Sequence, residues 1–517
     1  MKKYLVTFIV FVMVVSFAFG ASGAAAPTVF KAAMTTNPVT LDEGYSSNTA
    51  VRQVGVYIFE TLFTFGENYK IIPQLAESYE VSLDGLTYTI KLRKNIKFHD
   101  GSNLDAGDVK ASVDRFGTLP LTEDRLADKM ESVTIIDDYT IQFKLKKKIA
   151  LLEQLALPER LNIIPKEIAE KVGKNELRGS DVIGTGPYKL VEWKPDVYIK
   201  LAKFAEYIPD ARFTERSGLG GKRIATFDEI LLIPVPEAES RIAGLELGEF
   251  DFAEAIPVTS YDRISENKDI TTMIIKPKWS IILNLLHSEA PMNDVRFRRA
   301  LVYALDMDKV LQVVTAGKKE FYRAQPSLFT PEQYYYTLAG SENFYNKPDL
   351  NKVKQLLNEV GYKGEKIIYL TNKDFDWMYK TSLAVAEQWQ AAGINVQLEF
   401  FDWPGQNQKS QTRKGFHLHQ TGFSPRLVPI HAVTLIHSTS NNAFGYKNPR
   451  TDELLDKVSE GITGEELKQT WEQIQKLVWD DVAFIKIGDY FELEAIRADY
   501  KNYKAFYVTP RFWNITK

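Results

Sequence analysis

The 517-residue sequence contains no cysteine. This absence excludes disulfide bonds, thiolate metal ligands, cysteine nucleophiles and lipidation of a cysteine beside a signal peptide. A dominant charge sign is also missing, because 64 Lys and Arg residues oppose 67 Asp and Glu residues for a formal net charge of −3. Nucleic-acid binding depends on a basic field. We therefore expect no lipid anchor and no nucleic-acid partner.

Long apolar runs are absent except at the N-terminus. Lys2 and Lys3 precede an apolar span at residues 4–19 that ends in small residues. This order of charged, apolar and small residues is typical of a secretory signal peptide. An uncleaved anchor is the alternative, but the span falls short of the roughly 20 apolar residues that a membrane-spanning helix needs. The sequence predicts a signal peptide at residues 1–20 and a soluble extracytoplasmic protein.

Local patterns predict strands, turns and capped helices. Apolar residues alternate with polar residues at 88–92, which is typical of a half-buried strand. Asp105 is placed to cap the helix that follows, and Asp137 and Asp138 separate two alternating runs of a hairpin. Glu67 lies in a turn, and we expect it to be a solvated loop residue.

Two segments predict parallel crossover units. An apolar run at 230–233 leads into a helix and then an extended run from Asp251, and residues 366–400 repeat the order of strand, helix and strand. Two α/β lobes without a flexible linker imply a cleft with a hinge. The segments 273–286 and 482–490 are the candidate hinge strands.

The motifs along the chain resemble those of a known family. In order they are PQLAESYEVSLDGLTYTIKLRKNIKFHDGSNLDAGDVKASVDRF, IGTGPYKLVEW, LGEFDFAEAIP, LNLLHSEAPMNDVRFRRALVYALDMDKV, KVKQLLNEVGY and FGYKNPRTDELL. They are similar to those of the oligopeptide-type periplasmic binding proteins, family 5 of the solute-binding proteins of ATP-driven importers. The resemblance runs from about residue 27 to the C-terminus. It implies a two-lobed α/β receptor, not an enzyme, that closes over a solute and delivers it to a membrane permease.

The resemblance also implies the domain organisation, including an extra subdomain in the first lobe. The expected limits are 27–66, 182–272 and 490–517 for the core of the first lobe, 67–181 for the extra subdomain, and 277–484 for the second lobe.

Solute-contacting residues are expected where parallel strands end, because ligands of open α/β sheets bind beyond the carboxyl ends of the strands. In the second lobe this rule selects Trp403, Phe423, Ser424 and Arg426. For Trp403 the alternative is packing beneath the following helix, and for Arg426 it is a solvated loop tip.

The resemblance alone adds three candidates. They are Tyr45 and Ser46 after the first strand, and Trp279 in the first hinge strand. Packing in the core or the hinge is the alternative for each of them.

The loop SPRLVPIH at residues 424–431 contains no acid. In peptide-binding relatives the equivalent loop often supplies an Asp that pairs with the ligand's amino group. Here a cationic amine would meet Arg426 and be repelled. The candidates are an oligopeptide-class solute with unusual recognition, a small oligosaccharide and a small anion. Arginine can bind carboxylate or hydroxyl oxygens, and aromatic side chains can stack on a sugar ring.

Metal binding and catalysis are the alternatives. His417 and His419 are two apart on a predicted strand, and such imidazoles can share a metal, so a nickel-chelate binding protein is one alternative. A secreted hydrolase is the other, although the sequence carries no nucleophile elbow, zincin helix or phosphate loop. We expect no catalytic residues, no metal, no cofactor and a monomeric protein.

Overall fold

A computed structural model describes residues 27–46, 48–119, 126–156 and 161–517. The predicted signal peptide at residues 1–20 lies outside the described residues. Within these ranges no helix combines the length and the hydropathy that a bilayer crossing requires.

The strands are β1 (Val29–Met34), β2 (Phe63–Phe65), β3 (Ile71–Pro73), β4 (Ala76–Val81), β5 (Thr87–Leu92), β6 (Met130–Asp137), β7 (Thr140–Leu145), β8 (Tyr188–Lys194), β9 (Tyr198–Lys203), β10 (Arg216–Ser217), β11 (Gly220–Gly221), β12 (Glu229–Pro234), β13 (Phe252–Ile256), β14 (Ile270–Leu285), β15 (Tyr322–Arg323), β16 (Ile367–Asn372), β17 (Val396–Phe401), β18 (Leu418–Phe423) and β19 (Phe484–Arg497).

The helices are α1 (Thr49–Ile58), α2 (Ala106–Phe116), α3 (Leu126–Lys129), α4 (Leu151–Leu155), α5 (Lys166–Val172), α6 (Ala238–Glu246), α7 (Tyr261–Ser265), α8 (Val295–Tyr303), α9 (Met307–Val314), α10 (Leu350–Val360), α11 (Asp376–Ala391), α12 (Trp403–Gln411), α13 (Ile430–Ile436), α14 (Pro449–Ser459) and α15 (Gly464–Asp481).

A mixed sheet runs through the molecule in the order β17-β16-β18-β14-β19-β13-β1-β12-β9-β8, and β15 pairs with β19. At one end β1 is parallel to β12 and β13, and at the other β16 is parallel to β17 and β18. The long strands β14 and β19 pair antiparallel between these two parallel regions. The predicted crossover units are therefore present, and the candidate hinge segments 273–286 and 482–490 fall on β14 and β19.

A separate antiparallel sheet in the order β4-β5-β7-β6 packs beside α2, which in turn packs against α5. Asp105 caps α2 as predicted, since its side chain accepts from the N–H groups of Gly107 and Asp108. Buried Val109 and Val113 lie on the inner face of that helix. This sheet supports the expected extra subdomain, while its limits at 67–181 stay a prediction.

The C-terminal segment returns to the first parallel region. Phe512 packs with ring centroids 4.7 Å from Phe30 and 5.9 Å from Tyr57, and Trp513 is fully buried. This packing agrees with the expectation that residues 490–517 contribute to the core of the first lobe. The chain therefore crosses between the two parallel regions through both β14 and β19.

Glu67 lies in a turn with its side chain half-exposed, as expected, and it is also paired. Its carboxylate accepts a hydrogen bond from Arg511 Nη1 at 2.8 Å and from the Gly218 N–H at 3.0 Å. The Arg511 side chain is fully buried, whereas that of Glu67 is half-exposed. The turn gave no sign of this pairing, because the partner lies 444 residues away in the sequence.

Candidate functional site

Aromatic side chains gather beyond the carboxyl ends of β16 and β17. We call Trp279, Phe375, Trp377, Trp403 and Tyr490 the aromatic wall. The Trp377 ring is stacked with that of Tyr490 at 6.1 Å between centroids, and the Phe375 ring lies 6.4 Å from Trp377 and 5.6 Å from Trp403. Such a surface can stack against a planar or apolar part of a solute.

Strand pairing places the inner part of the aromatic wall. Trp279 on β14 lies opposite Tyr490 on β19. Gly422 on β18 leaves the room that the two tryptophans occupy, because an added Cβ would come within 3.0 Å of Trp377 and 3.5 Å of Trp279. Any larger residue at this position would push the aromatic rings apart.

A helix start positions Trp403. Asp402 caps α12 by accepting from the Gly405 N–H at 2.9 Å, and the Trp403 N–H donates to Asp374 Oδ2 at 2.7 Å. The Trp403 side chain is half-buried against Phe375. The structure therefore brings two predicted site residues, Trp279 and Trp403, to one aromatic surface.

Phe423, Ser424 and Arg426 lie around the end of β18. Phe423 pairs with Ser280 of β14, whereas its neighbour Gly422 contacts the aromatic wall, so Phe423 projects from the opposite face of the sheet. The Arg426 guanidinium carbon lies 5.1 Å from the centre of the Phe423 ring, in the geometry of a cation–π contact. The loop thus holds a half-buried cation at a strand end.

A hydrogen bond to its backbone holds the loop around Arg426 in place. The Arg426 carbonyl accepts a hydrogen bond from Gln333 Nε2 at 2.6 Å. Gln333 is itself buried and accepts from the Thr330 N–H at 2.8 Å. The segment before α10 therefore supports the loop that carries the cation.

Tyr45 and Ser46 lie elsewhere, between β1 and α1. The Tyr45 hydroxyl donates to the Lys174 carbonyl beyond α5, and Ser46 Oγ accepts from the Asn48 N–H at 3.2 Å. Both side chains are half-buried. These contacts are with the first-lobe side of the molecule, so a shared site with Arg426 stays a prediction.

A buried ionic cluster lies on the same sheet face as Phe423. Asp489 accepts from Lys486 Nζ at 2.7 Å, from Gln325 Nε2 at 2.7 Å and from Ser280 Oγ at 3.1 Å. Burial lowers the pKa of Lys486, although the Asp489 carboxylate opposes that effect. The cluster joins β14, β19 and the segment before α10 into one rigid support.

His417, just before β18, and His419, on β18, both make hydrogen bonds to neighbouring strands. His417 Nδ1 accepts from the Ile368 N–H at 3.0 Å, and His419 Nε2 lies 3.1 Å from Asn284 Nδ2. Burial lowers the pKa of His419 to about 3, so its ring is neutral at physiological pH. Among the residues that the structure describes, no group of three or more His, Asp or Glu side chains could hold a metal ion.

Sequence reasoning missed Phe375, Trp377 and Tyr490. The rule of carboxyl strand ends also applies to the loop after β16, where the sequence KDFDW supplies Phe375 and Trp377. Extending the rule through the whole loop would have found these two. Tyr490 could not be found locally, because its position depends on the pairing of β14 with β19.

The fold is that of a two-lobed periplasmic binding protein. The ABC transporter-associated periplasmic binding protein DppA of Helicobacter pylori, solved with the peptide STSA, matches with a TM-score of 0.78 and 21% identity over 95% of this chain and 98% of that one. The binding protein AgaA of Agrobacterium tumefaciens, solved with agropinic acid, matches with a TM-score of 0.75 and 21% identity over 92% of this chain and 94% of that one.

Sequence similarity identifies the family as well as the fold. Residues 70–445 match the model of the bacterial extracellular solute-binding proteins, family 5. The glutathione-binding protein GsiB of Escherichia coli is 28% identical over 495 residues, covering 92% of this chain and 91% of that protein. Its counterpart in Pectobacterium atrosepticum is 28% identical over 486 residues, covering 90% and 89%. The chain belongs to family 5 of the extracellular solute-binding proteins, and the expected family and fold are confirmed.

Proposed function

We propose that this protein captures a small peptide-like or opine-like carboxylic acid between its lobes and delivers it to the permease of an ATP-driven importer. The observation that carries this proposal is the half-buried Arg426 guanidinium over the Phe423 ring, in a loop that contains no acid. Arginine presents a planar fork of N–H donors that fits the two oxygens of a carboxylate. The Phe423 ring supplies an aromatic surface beside this cation.

The names of related proteins support an acidic, peptide-like solute. Two relatives are named for glutathione, a tripeptide with more carboxylates than amino groups, and one structural neighbour holds agropinic acid. An oligosaccharide is the second candidate, because sugar hydroxyls also accept from guanidinium and sugar rings stack on tryptophan. A nickel chelate is a further candidate, since the neighbour NikZ of Campylobacter jejuni holds Ni(L-His).

We also propose that the protein is exported and acts outside the cytoplasm. A signal peptide cleaved near residue 20 would release a monomer without a lipid anchor into the extracytoplasmic space. The receptor carries out no catalysis and uses no cofactor. Mass spectrometry of the exported protein would locate its N-terminus, and a mature chain beginning at Met1 would contradict the predicted cleavage.

The solute class is tested by a thermal-shift screen with glutathione, short acidic peptides, opine acids, oligosaccharides and nickel–histidine. A solute that binds only the folded state raises the melting temperature according to its affinity and concentration. We expect acids with a peptide-like backbone to give the largest shift. A screen in which only neutral oligosaccharides stabilise the protein would contradict the proposed class.

The role of Arg426 is tested by calorimetric titration of the best solute into Arg426→Ala. Loss of a charge-assisted pair costs about 2–5 kcal/mol in binding free energy, which is about 30-fold or more in affinity. Arg450→Ala is the matched control, because Arg450 is 52% exposed and pairs with Glu453 on the surface of α14. Equal affinity of wild type and Arg426→Ala would remove Arg426 from the site.

A further inference from the structure

The two strands that join the lobes lose their regular pairing at one point. On one side Ile275 of β14 lies opposite Glu492 of β19, and on the other Trp279 lies opposite Tyr490, with a register irregularity between the two pairs. The backbone ladder is therefore interrupted where the chain passes from one parallel region to the other. Strands bend most easily where the ladder is interrupted.

A buried ion cluster bridges this interruption. Lys278 Nζ lies 2.9 Å from Glu492 Oε1 and 3.4 Å from Glu494 Oε1. Side-chain exposure is 3% for Lys278, 12% for Glu492 and 0% for Glu494. Because Lys278 adjoins Trp279 while both carboxylates lie on the other side of the break, the ion pairs connect strand segments of the two lobes.

The lobes are in direct contact in this structure. The rings of Phe65 in β2 and His431 in α13 lie 5.9 Å apart. A Cβ added to Gly461 would lie 2.6 Å from the Ile149 carbonyl, so these backbones also touch. The structure therefore represents a closed arrangement, and opening would have to bend β14 and β19 near Lys278.

Negative charge exceeds positive charge around the cluster. Glu254 on β13 is also buried, and it accepts from Thr35 and from Gln53 Nε2 at 2.9 Å. The titratable and charged side chains that face the cluster from the elements packed around it are Tyr57 on α1, Arg241 on α6, Glu254 on β13, Lys278 on β14, Tyr490 and Glu492 on β19, and Tyr503 in the C-terminal segment.

Glu494 is the member that titrates near neutral pH. Burial raises its pKa to about 7, although the Lys278 ammonium and a hydrogen bond from Tyr503 at 2.6 Å oppose that rise. If opening moves Lys278 away, the Glu494 carboxylate stays buried without its cation and holds a proton more tightly. The open form then binds more protons than the closed form.

We propose that Lys278, Glu492 and Glu494 form a hinge clasp that stabilises the closed lobes and loosens as the surroundings become acidic. Because the form that binds more protons is favoured at lower pH, acidification through neutrality shifts the equilibrium towards the open form. The clasp acts on the lobes themselves, whichever solute lies between them. Closed receptors would thus persist in neutral and alkaline surroundings and release solute more readily in acid.

Small-angle scattering of the protein without added solute tests the clasp. We expect wild type to have a larger radius of gyration at about pH 6 than at about pH 8, on either side of the Glu494 midpoint. Lys278→Met should have the larger radius at both pH values. Lys276→Met is the matched control, because Lys276 is an exposed lysine of the same strand, and it should behave like wild type.

A second variant removes the titration without removing the cation. Glu494→Gln keeps the shape of the side chain and an oxygen that accepts from Tyr503, so its radius should not change between the two pH values. This variant tests the proposal even if Lys278→Met fails to fold. Identical radii at both pH values for wild type would overturn the clasp, as would the wild-type pH response persisting in Glu494→Gln. Neither result bears on the solute proposal, which depends on binding affinity and not on the shape of the solute-free protein.

Discussion

Two buried ion clusters of this receptor differ in charge balance. In the first, Glu60 and Arg223 pair with side chains 2% and 1% exposed, and Glu60 also accepts from Thr185 Oγ1 at 2.8 Å and from the Tyr207 hydroxyl at 3.2 Å. One cation meets one carboxylate there. In the hinge clasp, Lys278 meets both Glu492 and Glu494.

The difference indicates different tasks. The balanced pair ties α1 to the loop after β11, since Arg223 also donates to the Val56 carbonyl at 3.0 Å. Its charged groups are all hydrogen-bonded, and the cation and the carboxylate balance each other. The clasp carries an excess of acid that a proton can neutralise. Burial with full pairing gives rigidity, whereas burial with surplus charge gives a structure that responds to pH.

The largest expected effect comes from breaking the balanced pair. Arg223→Met leaves the Glu60 carboxylate buried without a cation, which should lower the free energy of unfolding by about 3–5 kcal/mol. Denaturant unfolding at neutral pH measures the loss. Arg263→Met is the control, because Arg263 is 51% exposed and its pair with Glu246 should contribute about 1 kcal/mol or less. Equal losses in the two variants would show that burial does not distinguish these pairs.

A smaller loss is expected for Lys278→Met, about 1–3 kcal/mol, because Glu494 can take up a proton once its cation is gone. The loss should be greater at about pH 8 than at about pH 6, because protonation of Glu494 costs more free energy at the higher pH. Unfolding curves at both pH values check the sign. A loss as large as that of Arg223→Met, and equal at both pH values, would show that the clasp stabilises the fold without responding to pH.

Local features of the receptor were predictable from sequence. The caps, hairpins and crossover units depend on residues close together in the chain, such as Asp105 with the N–H groups of the next turn. The rule of carboxyl strand ends led to Trp403, Phe423 and Arg426 for the same reason. These are loop positions fixed by the strand just before them.

Partners distant in sequence could not be predicted. Lys278 and Glu494 lie 216 residues apart, and only the register of β14 with β19 brings them together. The same register places Tyr490 in the aromatic wall. A single sequence carries the alternation of each strand but not the pairing between them. Long-range pairing therefore determines the contacts of Lys278 with Glu494 and the position of Tyr490 beside Trp279.

Glu67 gives the smallest expected effect and the opposite pH sign to Glu494. Burial raises the pKa of Glu67, but the hydrogen bond and charge of Arg511 more than offset it, so its pKa lies below the usual value. Stability from this pair is therefore present above the ordinary pKa of glutamate and is lost as the pH falls through the lowered folded-state pKa. Because Glu67 is half-exposed, solvent screening limits the loss in Glu67→Gln to about 1 kcal/mol at neutral pH.

Comparing that loss at about pH 7 and about pH 3 by thermal unfolding checks the sign, since the difference from wild type should shrink in acid. Asp114→Asn, in an exposed pair with Lys110 on α2, serves as the control and should change little. A difference that grows in acid would show that Arg511 does not hold the Glu67 carboxylate ionised. The half-exposed Glu67–Arg511 pair would then not rank between the Glu60–Arg223 pair and the hinge clasp in its response to pH.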